Sequence, residues 1–470
     1  MPALAYPTLT AAADAFAAGE VSAAALTESC LARIAAQDGA INAVIRLDAE
    51  AARSRATALD AARARGEPLG PLAGVPMLHK DMYYREGHVS TCGSSIRGMF
   101  VPPVTATVLS RLDAAGAIDC GTLNMSEFAQ NGTGHNAHFG DCRNPWNTDY
   151  CTGGSSSGPG AAVAAGFAYA SLGSDTGGSI RLPATMCGVT GLKPTQTRVP
   201  RTGVMPLSFS CDNVGPLTRT ARDAARFMKV IAGADGLDPT CAREAVPDYE
   251  AALTGDLRGR RIVVVETTFM EDIDAPVMAA FEAALLVLAA RGATITRMAL
   301  PLMRAINAGM AVLSRVESAT IHANWMRERP GDYAPHLSAR IYGGFAIPGA
   351  IYNEALAMRG PLLRAFVGAC LTDADLVASP TMPIRVPTRA ETDSDADPAN
   401  WPRMLAVSTN TRPFNYLGLP VVSVPCGFDD RGLPVGLQLA ARPFAEARVL
   451  AAADAFQRDT DWHLRRPDVV

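Results

Sequence analysis

The chain has 470 residues, 48% of them hydrophobic and 19% charged, with 42 Lys and Arg against 46 Asp and Glu for a net charge of -4. That hydrophobic share suits a well-buried globular protein, and the mild acidity gives no electrostatic reason to bind nucleic acid or an anionic membrane. The start, MPALAYPTLTAAADAF, lacks a basic segment followed by an apolar core, and the longest apolar run, AAVAAGFAYASLG, is too short and too rich in Ala and Gly to span a bilayer, so a soluble cytoplasmic protein is expected.

In chain order, residues 1–65 read as helical: Ser22 can cap a helix whose Leu26, Cys30 and Ile34 recur on one face. GPLAGVPMLHKD reads as a buried strand that reaches a polar turn at Lys80. Residues 70–230 hold nearly all the Gly-rich turns, alternating with short apolar segments. RRIVVVET predicts a buried strand, the next segment a helix with Val277, Phe281, Leu285 and Leu288 on one face, and ATITRM a second strand. This is a βαβ unit, implying parallel strands with helices packed on them. Residues 301–370 read as mostly helical, DADLVASPTMP as one more strand, and the acidic stretch 389–400 as an exposed loop. With no repeat and no clean linker, one continuous α/β core over 1–470 is expected.

The ten cysteines contain no C-x-x-C pair and read as reduced, buried small side chains, Cys151 included although it abuts a Gly-rich turn. The seven histidines show no ligand spacing; His135 and His138 sit in a polar loop, and no metal is expected. The lysines say more. There are three, Lys80, Lys193 and Lys229, so arginine serves wherever only charge is needed. Lys229 lies in a helical pattern as a surface residue, and Lys193 in GLKPT reads as structural. Lys80, at the end of a buried strand, would be partly desolvated, which lowers its pKa and suits a base; pairing with Asp81 is the plainer alternative.

Two serine chemistries compete. Gly154-Ser155-Ser156-Ser157-Gly158 satisfies G-x-S-x-G, the nucleophile elbow of α/β-hydrolases, with Ser156 as nucleophile. That elbow needs an apolar strand just before it, yet the preceding RNPWNTDYCT is polar and contains Pro145. The other chemistry needs no histidine. Ser179 follows Thr176-Gly177-Gly178, whose backbone N–H groups can converge as an oxyanion hole, and Ser155 can relay a proton between Ser179 and a neutral Lys80.

GTLNMSEFA, FGDCRNPWN, GGSSSG, GSDTGGSIRLPA, GVTGLKPT and PLSFSCDNVGPLTRT stand in an order and spacing that resemble the amidase signature family, and TRPFNYLGLPVVSVPCGFDDRGLPVGLQL resembles its closing region. The resemblance runs from about Leu9 to Gln457. It implies one α/β domain, a mixed sheet covered by helices on both sides, and a Ser-cisSer-Lys triad that hydrolyses amides through an acyl-enzyme without a cofactor. By position, Ser179 matches the nucleophile, Ser155 the cis-serine, Lys80 the base, and Thr176, Gly177 and Gly178 the oxyanion hole. Met125, Asn131, Thr152 and Arg359 match pocket positions. Asp175 and Arg181 flank the nucleophile turn as a structural pair, and Pro159 suits the first turn of a helix. Ser157 and Thr197 stand where the family has Gly.

The resemblance carries a rival, the glutaminase subunit of the tRNA-dependent amidotransferase, in which an Arg and an Asp hold the carboxylate and amine of glutamine. Arg359 matches the Arg, but the Asp position falls at Ser408, which cannot pair with an ammonium. The expectation is therefore a stand-alone amidase for a small-molecule amide other than glutamine, either as a single chain or as a homodimer. A non-catalytic scaffold member is the reading of another class, disfavoured because Lys80, Ser155 and Ser179 are all present.

Overall fold

A computed structural model describes residues 6–468. Among them, eleven strands form one mixed sheet: β1 (Val44–Leu47), β2 (Pro76–Lys80), β3 (Ile118–Leu123), β4 (Ala170–Asp175), β5 (Thr190–Lys193), β6 (Asn213–Thr218), β7 (Arg261–Val265), β8 (Thr294–Met298), β9 (Leu376–Pro380), β10 (Val421–Phe428) and β11 (Pro434–Ala440). Their spatial order is β1-β3-β2-β4-β6-β5-β10-β11-β9-β7-β8. β3, β2 and β4 run parallel, as do β9, β7 and β8, while β6, β5, β10 and β11 join the two groups by antiparallel pairing. With fourteen α-helices around this sheet, the chain is a single large α/β domain.

The sequence patterns explain the elements they anticipated. Ser22 accepts from the Ala25 amide and starts the helix Ala23–Ile41, which buries Leu26, Cys30 and Ile34. The βαβ unit forms as expected: Asp274 precedes the helix Ala275–Ala290, Pro276 sits in its first turn, and Val277, Phe281, Leu285 and Leu288 are buried. Burying each such side chain is worth about 1.5–3 kcal/mol. Among the described residues no helix is long and apolar enough to cross a membrane.

Two expectations need correction. The first 65 residues are not wholly helical, because β1 lies between helices and pairs antiparallel with β3. Four residues are too few for a periodic signal. The stretch 389–400 is irregular, with two short 3-10 turns, but not uniformly exposed: Thr392 is buried, its hydroxyl bonded to His135 and Cys151.

The strands that matter to the site are β2 and β4. They are parallel neighbours, so Lys80 and Ser174, at their carboxyl ends, open on the same edge of the sheet, where α/β folds place ligand sites. Behind them runs the buried helix Ser157–Ala165, with Pro159 in its first turn. A Cβ on its Gly160 would come within 2.8 Å of the Pro183 side chain, so the small residues let this helix press against the helix Arg181–Cys187.

Candidate active site

Lys80 is fully buried. Its Nζ donates to Ser155 Oγ at 2.8 Å, Ser174 Oγ at 2.9 Å and Ser156 Oγ at 3.1 Å. It forms no ion pair with Asp81, whose carboxylate bonds Thr91 instead. Burial pushes the Lys80 ammonium down to about 7, against the weaker pull of Asp175, Cys92 and Asp212. As an ammonium Lys80 donates to all three hydroxyls; on losing a proton it keeps two donors and gains a lone pair that can accept from the third, with no carboxylate bonded to hold the charge.

The Gly154–Ser155 peptide is cis. A Cβ on Gly154 would collide with the Asn131 carbonyl oxygen, so only glycine fits there. Ser156, the nucleophile of the elbow reading, is fully buried, precedes the helix Ser157–Ala165 rather than following a strand, and spends its hydroxyl on Lys80 and the backbone of Ser174. That geometry is not an elbow. Ser157, also buried, donates to the Asn124 carbonyl at 3.4 Å.

Ser179 is 9% exposed and lines a cavity together with Thr176 and Gly177. The Ser156 amide donates to its carbonyl at 3.3 Å, joining the two serine turns. The turn is built on Asp175, whose carboxylate accepts from Gly178 N at 2.8 Å, Ile180 N at 3.2 Å, Arg181 Nε at 3.0 Å and Asn415 Nδ2 at 2.8 Å. Burial by itself would raise this carboxyl, but the Arg181 guanidinium overrides it and holds it at about 2. Of the three residues expected to form an oxyanion hole, Thr176 and Gly177 line the cavity, while the Gly178 amide donates to the Asp175 carboxylate. Gly178 is needed for another reason. Its φ is +131° and a Cβ would strike the Thr411 hydroxyl.

Of the four anticipated pocket residues, only Asn131 lines the cavity. Met125 is buried beside Gly93, its carbonyl bonded to Asn136, and Thr152 is buried with its hydroxyl on the Cys142 carbonyl at 3.2 Å. Arg359 is a brace: its guanidinium donates to the carbonyls of Tyr416 at 2.5 Å, Ser210 at 2.6 Å and Asn415 at 3.3 Å, and to the Gln196 side chain. Sequence position cannot show which way a long side chain turns. Ser408 does line the cavity, and no Asp or Glu is among the lining residues. The reading of single residues missed Ser174 and the cavity arginines Arg315, Arg340 and Arg412. Ser174 had a signal, its place five residues before Ser179 in the same motif; the arginines, on separate helices, had none.

The other singled-out residues are structural. Cys151 is buried, bonded to Thr388 and Thr392, and its thiol is pushed up to about 12 by burial. Lys193 is buried with its Nζ on the Pro194 carbonyl, while Lys229 is exposed. His135 pairs with Asp141 and His138 with Glu127.

A mixed sheet with a buried lysine, a serine cluster and a Gly-rich serine turn at a cavity is the setting in which a hydrolase-type enzyme of amide C–N bonds is found, and comparison with known proteins gives that class. The Amidase family model matches residues 25–450, and the chain belongs to that family. The A subunit of glutamyl-tRNA(Gln) amidotransferase from Chloroflexus aggregans is 42% identical, covering 100% of both chains, and its counterpart from Roseiflexus sp. is 41% identical, covering 98% of both. Among solved structures, an inhibitor-bound member of a vestigial protein complex bearing on the origins of an s-triazine catabolic enzyme superposes with a TM-score of 0.90 at 36% identity, covering 96% of this chain and 98% of that one. The peptide amidase PAM, bound to the competitive inhibitor chymostatin, superposes at 0.87 and 30% identity, covering 98% and 99%.

Proposed function

We propose that the chain hydrolyses a small-molecule amide through an acyl-enzyme on Ser179. The observation that carries this reading is the hydrogen bond from the buried, carboxylate-free Lys80 to Ser155, beside the turn that presents Ser179 to the cavity. Ser179 Oγ attacks the amide carbon while its proton passes to Ser155 and the Ser155 proton to neutral Lys80. The amides of Thr176 and Gly177 receive the charge that develops on the carbonyl oxygen. Collapse breaks the C–N bond, and the proton returns from Lys80 through Ser155 to the departing nitrogen. Water then attacks the Ser179 ester by the same relay, releasing the acid and restoring the hydroxyl.

Two substrate settings share this chemistry. The names of the curated relatives favour the glutaminase subunit of a tRNA-dependent amidotransferase over the stand-alone enzyme expected from the sequence. Ser408 in the cavity, where that subunit is expected to hold the glutamine ammonium with an Asp, favours a stand-alone amidase. Fluorophosphonate treatment followed by peptide mass spectrometry tests the shared chemistry: the adduct should fall on Ser179 and vanish in Ser179→Ala. An adduct on Ser156 would sink it. Ammonia release from glutamine, with and without added amidotransferase partner chains, separates the two settings.

A further inference from the structure

Three arginines from three different helices line the cavity that holds Ser179: Arg315 from Met303–Glu328, Arg340 from Pro335–Phe345 and Arg412 at the start of Arg412–Leu417. No Asp or Glu lines it. None of the three forms an ion pair among the described residues, whereas most arginines of this chain do. Their hydrogen bonds are sparse as well. Arg340 reaches only the Gln130 carbonyl at 3.4 Å and its buried Nε has no partner; Arg412 reaches the Leu405 carbonyl at 3.4 Å. By contrast Arg181 and Arg359, elsewhere in the core, are saturated by short bonds.

Burial and the neighbouring guanidinium groups push Arg340 and Arg412 down to about 10, which still leaves both charged at neutral pH. Like charges gathered without a counter-ion repel one another and are costly in a partly desolvated pocket, and an anion placed among them reverses that cost. Guanidinium suits this task because its planar fork meets a carboxylate with two parallel bonds. Arg412 also stands next to the chemistry: a Cβ on Gly177 would lie 3.8 Å from its Cγ. Leu182, Met310 and Met404 supply apolar wall for a short carbon chain.

We propose that the substrate is an amide with its own carboxylate and no ammonium, such as the monoamide of a short dicarboxylic acid, its carboxylate held by Arg315, Arg340 and Arg412. The proposal rests on the hydrolase reading of Ser179. It excludes glutamine as a good substrate, since the α-ammonium would enter a cationic pocket with no carboxylate to meet it.

The test has a binding arm and a turnover arm. In the first, malonate, succinate and glutarate are titrated by calorimetry into the Ser179→Ala chain beside the matching neutral diamides. At least one dicarboxylate should bind ten-fold or more tightly than its diamide, and Arg340→Gln and Arg412→Gln should each weaken that binding at least ten-fold, with Lys229→Gln as the surface control. In the second, ammonia release is compared for malonamate, succinamate, glutaramate, pentanamide and L-glutamine, and one of the carboxylate monoamides should exceed both others at least ten-fold in kcat/KM. Equal binding of diamides and dicarboxylates, indifference to both Arg variants, or preference for glutamine or pentanamide would each overturn the proposal. Absence of fluorophosphonate labelling at Ser179 would instead overturn the hydrolase reading, leaving the binding arm to decide on the anion site.

Discussion

Lys80 Nζ lies 2.8 Å from Ser155 Oγ, and both residues are fully buried. Asp175, the charge of opposite sign that acts most on this lysine, is already paired with Arg181, so the ammonium gains little for the water it has lost. Desolvation therefore dominates, and the group is suited to accept a proton rather than to hold a charge.

If Lys80 works as a neutral base, arginine cannot replace it, because a guanidinium stays protonated and is also larger. Lys80→Arg and Lys80→Met should both slow fluorophosphonate labelling of Ser179 by about 10²–10⁴-fold, the usual worth of a general base. Lys229→Arg, at an exposed site, should leave it unchanged. Near-normal labelling of Lys80→Arg would mean that only positive charge is required.

The wild-type labelling rate should rise with pH through an apparent pKa near 7, as Lys80 loses its proton. The same depressed value affects stability. Between about pH 7 and 10 the unfolded lysine binds a proton that the folded one does not, so the Lys80 contribution to stability improves as pH rises across that window. Urea unfolding of wild type and Lys80→Met across this range should show a smaller rise with pH in the variant. Parallel curves would place the titration elsewhere.

Ser155 and Ser156 both accept from Lys80, and the proposed relay runs through Ser155. Ser155→Ala should cost labelling at least 100-fold. Ser156→Ala should cost roughly ten-fold or less and keep the adduct on Ser179. The reverse ranking would exchange their roles.

Asp175 and Arg181 form a fully buried pair that carries the turn of Ser179. Asp175→Asn leaves a buried guanidinium short of its counter-charge and should destabilise the chain by about 3–5 kcal/mol. With a folded value of about 2 against roughly 3.9 unfolded, the carboxylate's contribution is present above pH 4 and lost as pH falls toward 2. Denaturant midpoints of wild type and variant should therefore converge on acidification; a gap that persists at pH 2 would contradict this account.

Thr197, where the family has glycine, adopts φ +76°. A β-branched residue is strained in that region by about 1–2 kcal/mol, while glycine forfeits about 0.5–1 kcal/mol of unfolded-chain entropy. Thr197→Gly should thus raise stability by about 0.5–1 kcal/mol and leave activity intact. A lower urea midpoint would show that the threonine side chain stabilises by more than its backbone costs.

Much of this was legible in local sequence. The strands at 76–80, 261–265 and 376–380 are short, largely apolar runs between polar turns, the helix Ala275–Ala290 shows its buried face as a period, and the alternating TITRM at 294–298 follows it as the second strand of the βαβ unit. The scarcity of lysine marked Lys80, and the Gly-rich motifs marked Ser155 and Ser179, because glycines beside a serine let the backbone turn tightly and point its N–H groups into one concavity. Tertiary structure decided what depends on the direction of long side chains and on pairings between distant segments. It set Arg359 as a brace, gave the Gly178 amide to Asp175, and joined β5 to β10 across nearly half the length of the chain. It also brought Arg315, Arg340 and Arg412 into one pocket. Each of these three is an unremarkable arginine on its own helix, and charges so far apart in sequence become a binding feature only when packing removes the water and the carboxylates around them.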